Sequence, residues 1–458
     1  MGLGEIFRRL APERLKPVRD GLTGGDAALL ELLDLDLLRQ EGRAADVAAG
    51  RVGARDRAQR RLEAAAVWRE VARRTGDAAT LRKAAAGAEA AASAFQSLRR
   101  GDGWARARCE QAACALMGAE LFGDPGLEAA AEVAFREVRG AARSPLAAAL
   151  ADAGLAAIEG RREISHGDAA AARAGADRFG GPISVLDAMA GRSHTLRPLA
   201  ADIRLARADL ICGWAARLKD EALFREALAD ADLAAERLDA AYEPLTWARA
   251  QALRGQILTL WGEMLGEVEQ LAAGSEALAR ALDQLSRDHS PLDWARAQIA
   301  LGHALQGLGD ATAAPRAYEQ AVTCYERANL VLKGLVASPL RGLAAGARAT
   351  CLARQAELTG DLAVLDAAEA GLKTELAANQ PRRDPVGWGL AQLHLARIYE
   401  ARIQITGADR GQRARAVMAL DGAFDVFTEQ GLASLSRLAA DALERLRADV
   451  PVTRRPAG

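Results

Sequence analysis

The chain has 458 residues; half are apolar but only 4% are aromatic, and 60 Lys plus Arg stand against 61 Asp plus Glu. That length bounds about three ordinary domains, and the near-zero net charge excludes a nucleic-acid surface spread over the whole molecule, though not a local basic patch. A core so poor in aromatics is mostly Ala and Leu, which implies closely packed helices.

Only five of the basic residues are Lys and the rest are Arg, the usage of a GC-rich bacterial genome. The cysteines Cys109, Cys114, Cys212, Cys324 and Cys351 are odd in number and lack CxxC spacing. A reducing, cytoplasmic setting without a disulfide framework is expected. No run reaches about 18 unbroken apolar residues, so no transmembrane segment is expected. The N-terminus lacks the apolar core and cleavage site of a signal peptide.

In chain order, residues 1–21 place Leu3, Ile6, Phe7 and Leu10 on one helical face, ringed by Arg8, Arg9, Arg14, Lys16 and Arg19. Such a segment either anchors to a membrane surface or partner, or packs on the first repeat; packing is the plainer reading. Gly24-Gly25 opens a leucine-rich helix from Asp26 to Gly42. Leu29, Leu30, Leu32, Leu33, Leu35, Leu37 and Leu38 cover more than one of its faces. It is therefore buried on two sides or joins another chain, which makes a homodimer a competing expectation. Gly42 and Gly50 punctuate a second, weaker helix. Residues 1–53 read as an N-terminal helical cap or docking segment.

From 54 to 430 two punctuation marks recur in step. One is a Gly-Asp-like turn, as at Gly76-Asp77, Gly123-Asp124, Gly309-Asp310 and Gly360-Asp361, where Asp is suited to cap the next helix. The other is a helix-opening proline: Pro145, Pro198, Pro244, Pro291, Pro339 and Pro385, spaced by 53, 46, 47, 48 and 46 residues. Trp104, Trp247, Trp294 and Trp388 mark the start of a first helix. About eight helix pairs are expected. Residues 173–195, with Gly180-Gly181-Pro182, interrupt the rhythm and predict a kink or loop. Residues 431–449 form a polar-faced capping helix, and 450–458 a disordered tail.

The clearest unit is Ser290–Ala328. Leu301, Gly302, Leu305, Ala314, Tyr318 and Ala321 stand at the offsets of the tetratricopeptide repeat, which this unit resembles. The period exceeds that family's ~34 residues, so the helices must be longer, and a HEAT-like repeat is the second choice. The resemblance implies an all-α, right-handed α-solenoid of antiparallel helix pairs that binds protein.

No phosphate-cradling loop, paired metal-ligand spacing or nucleophile–base arrangement is present, so neither enzyme chemistry nor a cofactor is expected. The tryptophans read as wedges between helix pairs rather than stacking platforms. Arg106, Arg249 and Arg296 each follow a Trp by two residues. In the tetratricopeptide family the first helix of each pair lines the concave groove. By that resemblance Arg106, Arg249, Arg296, His303 and Gln306 are candidate partner-binding residues. A ladder of guanidiniums suits the carboxylates of an acidic protein segment or peptide. The competing reading pairs these arginines with acids of the neighbouring unit. The alternatives for function are a self-assembling structural protein joined through the leucine-rich helix, and an enzyme built inside the solenoid.

Overall fold

The computed structural model describes residues 27–51, 53–334, 339–378, 385–430 and 432–448, and among them there is no strand. The segments 1–21 and 450–458 lie outside the described residues. The chain divides into two compact units, Met1–Ala304 and Leu305–Gly458.

The first unit opens with a 3-10 turn, Ala27–Leu32, and α1, Leu35–Arg51. The expected single helix from Asp26 to Gly42 is thus two elements. Asp34 breaks it, because its carboxylate accepts from the backbone N–H of Leu37 at 2.8 Å and restarts the chain as α1. Gly42, expected as a boundary, lies inside α1, where a Cβ would meet the Trp68 ring at 2.8 Å. Leu30, Leu33, Leu35 and Leu38 are buried within this chain.

Helix pairs then follow: α2 (Ala54–Thr75) with α3 (Ala78–Ser97), and α4 (Gly101–Phe122) with α5 (Pro125–Ala141). Next, α6 (Pro145–Ile164) is followed by two short helices, α7 (Ala169–Asp177) and α8 (Gly180–Ala190), and a 3-10 turn, His194–Leu196. The stretch 173–195 is therefore mostly helical, broken at Arg178-Phe179 and again before His194, rather than an open loop. Then come α9 (Arg197–Leu218) with α10 (Glu221–Glu236), and α11 (Pro244–Leu265) with α12 (Val268–Gln284). Each packs on its predecessor, as a stacked repeat requires, except that α8 packs on α6 rather than on α7.

The boundary between the units falls inside α13, Pro291–Thr312. In the second unit the end of α13 meets α14 (Pro315–Leu332). After these come α15 (Pro339–Thr359), α16 (Leu362–Ala378), α17 (Pro385–Thr406), α18 (Gln412–Glu429) and α19 (Ala433–Ala448). From α14 onward consecutive helices pack together, except that α15 and α16 both touch α17. The described residues thus form an all-α helical repeat of eight pairs, with α1 before and α19 after.

The punctuation acts as the residue types dictate. The carboxylates of Asp77, Asp124, Asp168 and Asp220 accept from backbone N–H groups of the helices they precede. Gly76, Gly123, Gly266 and Gly360 take positive φ after helix ends, where a Cβ would be strained. Gly309-Asp310 departs from this rule. There α13 runs on to Thr312, the left-handed residue is Ala313, and Asp310 accepts from the Tyr318 hydroxyl at 2.7 Å. The first helices α2, α4, α9, α11, α13 and α17 each have 22 residues, about 33 Å of wall at 1.5 Å per residue. Those extra turns account for the long repeat.

Tight approach is built from small residues. A Cβ on Gly274 of α12 would sit 2.9 Å from the carbonyl oxygen of Gly255 on α11, and 2.8 Å from the Thr259 hydroxyl. We expect Gly274→Val to force the pair apart and to lower stability by about 1–3 kcal/mol. Gly371→Ala, whose Cβ would meet only the far end of Arg348 at 3.5 Å, should be neutral or stabilising by about 0.5–1 kcal/mol. Denaturant unfolding of the two variants checks both signs.

Candidate binding cavity

The first unit closes on itself. Glu31, buried in the opening 3-10 turn, accepts from the backbone N–H groups of Leu245 (2.8 Å) and Thr246 (2.9 Å) at the start of α11, and from the Thr246 hydroxyl. His289 Nε2 bonds the Glu31 carbonyl oxygen at 2.7 Å, which makes that nitrogen the protonated one. The guanidinium of Arg74 is fully buried and donates to the carbonyl oxygens of Leu33 and Leu30, both at 2.7 Å. Beside it Arg73 pairs with Glu70 at 2.7 Å and with Asp293 of α13 at 2.6 Å, across 220 positions of sequence. The opening 3-10 turn and α2 are thereby fastened to α11 and α13.

These groups hold their charges by mutual contact. Burial alone would raise the carboxyl pKa of Glu70 and Asp293. The adjacent guanidiniums of Arg73 and Arg74 (for Glu70), and of Arg73, Arg249 and Arg296 (for Asp293), instead hold both below the ordinary carboxylate range. Glu31 goes the other way, raised by burial against the pull of Arg249 and its Thr246 hydrogen bonds. His289 is depressed to about 4, first by burial and then by the Arg74 charge.

Inside the closed unit lies a cavity of about 770 Å³. Its arrangement follows from repeat geometry. The sixth residue of each first helix is Gln59 in α2, Arg106 in α4, Leu150 in α6, Asp202 in α9, Arg249 in α11 and Arg296 in α13, and all six line it. One turn further on, Glu63, Glu110, Gly154 and Ala206 line it too. The rest of the wall is largely apolar, with Leu116, Met117, Leu146, Leu199 and Ile203 prominent. The 3-10 turn after α8 adds Thr195 and Leu196, so the break in the rhythm contributes to the wall.

Most charges here are already committed: Arg60 to Glu63 (2.9 Å), Arg69 to Glu110 (2.5 Å), Arg73 as above, and Arg249 to Asp202 (2.7 Å). Arg249 also donates to the Thr246 hydroxyl at 2.8 Å, the hydroxyl that holds Glu31. Three groups are not committed. Nη1 of Arg249 is buried without a partner. Arg106 makes no hydrogen bond or ion pair with a described residue. Arg296 makes none either, lying only in the electrostatic field of Asp293.

Of the five residues singled out in the sequence, Arg106, Arg249 and Arg296 are thus brought to one cavity. His303 and Gln306 do not line it. Gln306 accepts from the Tyr325 hydroxyl at 3.2 Å inside the second unit. The competing reading of the arginines holds for Arg249, which pairs with Asp202, an acid of the preceding repeat. No tryptophan lines the cavity; Trp104 and Trp247 each pack against two neighbouring apolar clusters. Sequence reasoning missed Glu31, Arg69 and Arg73. A lone acid inside a leucine run, and two arginines four apart on one helix face, were the available signals. Among the described residues no group of His, Cys, Asp and Glu is placed to hold a metal ion, and no helix is long and apolar enough to cross a membrane.

No family model matches the chain, and no curated protein matches it. Solved structures similar to it include a Rap protein complexed with Competence and Sporulation Factor, at 12% identity and a TM-score of 0.45 over 86% of this chain and 98% of that one. A circular tandem repeat protein gives 20% identity and a TM-score of 0.29, covering 89% and 96% of the two chains. The tetratricopeptide domain of P58(IPK) gives 15% and 0.20, covering 92% and 99%.

The closure makes a pH prediction. Unfolded His289 takes up a proton near pH 6.5, whereas the folded state resists it to about 4. Stability from this group is intact above 6.5 and declines from there to about 4, at no more than roughly 1.4 kcal/mol per pH unit. Glu31, with a raised folded pKa, opposes this above its own unfolded value, so the comparison is made against His289→Gln. We expect the stability difference between wild type and His289→Gln to shrink as pH falls from 6.5 to 4, measured by denaturant unfolding at fixed salt.

Proposed function

We propose that this protein is a non-catalytic, protein-binding repeat scaffold, and that its first unit receives a carboxylate-bearing segment of a partner in the cavity. One observation carries the reading. Arg106, Arg249 and Arg296, up to 190 positions apart in sequence, occupy the same position of their repeats and point unpaired guanidinium N–H groups at one space. Of the three, Arg249 has a buried Nη1 without a described partner, Arg296 is half-buried and Arg106 is exposed, so only Arg249 bears the free-energy cost of a buried cationic donor that lacks an acceptor. A guanidinium supplies the fork that a carboxylate fills. The apolar remainder of the wall gives the bound segment its contact area, as in peptide-binding grooves. A cytoplasmic, bacterial setting fits the composition.

The test places a photo-crosslinking amino acid at Met117, on the cavity wall, and maps the adduct formed in extract of the source cells. Arg106→Glu with Arg296→Glu removes two charges that hold no described partner, so the helical signal should be unchanged. We expect a protein adduct at Met117 in wild type, weaker by at least about tenfold in the double variant, and weaker as salt rises. An adduct that ignores both the charge reversal and ionic strength overturns the proposal.

A further inference from the structure

We infer that the occupant of this cavity is an amphipathic helix carrying one or two carboxylates, rather than an extended or polyacidic segment; this rests on the peptide-binding reading above. The first ground is the near absence of free neutral hydrogen-bonding groups along the wall. Gln59 and Thr195 are the neutral polar side chains there. Gln59 already donates to Glu63 at 3.0 Å, and the Thr195 hydroxyl is bonded to Ser193 at 2.7 Å. Every residue of an extended chain brings a backbone N–H and a carbonyl that need partners. Six such residues against Leu116, Leu146, Leu150 and Ile203 would leave most of them unpaired. A helix satisfies its own backbone and offers an apolar stripe to the same wall.

The second ground is charge. Glu41, Glu63, Glu110, Glu120, Asp202 and Asp293 line the cavity alongside its arginines. A polyacidic segment would set most of its carboxylates against these acids. Among the described residues, uncommitted cationic groups remain at Arg106, Arg249 Nη1 and Arg296, enough for one carboxylate or two. The third ground is size. A helix about 10 Å across fills 770 Å³ over about 10 Å of its length, roughly six or seven residues. Two turns present apolar residues at i, i+3, i+4 and i+7 with the acid on the flank facing the arginines. The ends then lie outside the cavity, where water satisfies the terminal backbone groups.

The experiment is selection of a displayed library of random 16-residue peptides on the full chain, with counter-selection on the Arg106→Glu, Arg296→Glu variant. Enriched sequences should repeat apolar residues at helical spacing, carry one or two acids, and bind with amidated C-termini. The best of them, synthesised, should lose at least thirtyfold in affinity when Pro replaces a central polar residue, but not when Ala does. Enrichment with period-two patterning, with acid runs, or with a need for the free C-terminal carboxylate would overturn the helix while leaving the cavity reading in place. Enrichment that is lost on counter-selection, because the same peptides bind the variant, or no enrichment at all, would overturn the cavity reading and the helix with it.

Discussion

Everything in the first unit depends on a buried salt-bridged closure. A stacked repeat needs contact only between neighbours, yet here Glu31 caps α11 and Arg73 reaches Asp293. Removing one member would strand its partners: without Arg74, the carbonyls of Leu30 and Leu33 lose their donor, and Glu70 keeps only Arg73. Breaking such a buried group typically costs several kcal/mol, although an apolar replacement of the whole set can be as stable. What the ionic version adds is register. A carboxylate that needs two particular backbone N–H groups fixes where the chain start sits, and leucines alone would tolerate sliding.

The closure and the cavity share atoms. The Thr246 hydroxyl accepts from Arg249 and donates to Glu31, while Asp293 answers to Arg73 and lies in the fields of Arg249 and Arg296. Arg249 is therefore held by the same network that joins the first pair to α11 and α13. Such preorganisation lowers the ordering that a ligand must impose. It also explains the near balance of acids and arginines around the space, because an isolated guanidinium cluster would not remain buried.

Much of this was legible in the sequence. Trp-plus-two placed Arg106, Arg249 and Arg296 in one register because the proline or glycine start of each first helix sets the count, and at the sixth residue the side chains share a level. The prolines and capping aspartates gave the pairs for the same local reason. What stayed hidden is non-local. Periodicity cannot show that residue 31 meets residue 246. It took the leucine run for one helix because the Asp34 side chain, a short-range competitor for backbone N–H groups, looks like any exposed acid. His303 and Gln306 were assigned by resemblance to a groove running the length of α13. The cavity uses only the first turns of that helix, and Gln306 serves the Tyr325 hydroxyl instead.

Helix length ties these observations together. A first helix of 22 residues is tall enough to carry both charged and apolar cavity-lining residues along its length. Along α4 they pass from Arg106 and Glu110 through Ala113, Leu116 and Met117 to Glu120, and along α2 Arg69 and Arg73 follow Ala66 and Val67. In the proposed complex the charged residues would supply an electrostatic contact that orients a ligand, and the apolar residues a contact that holds it. The first weakens with salt and the second does not. The length that distinguishes this repeat from the tetratricopeptide norm is thus also what brings both kinds of residue to the proposed site.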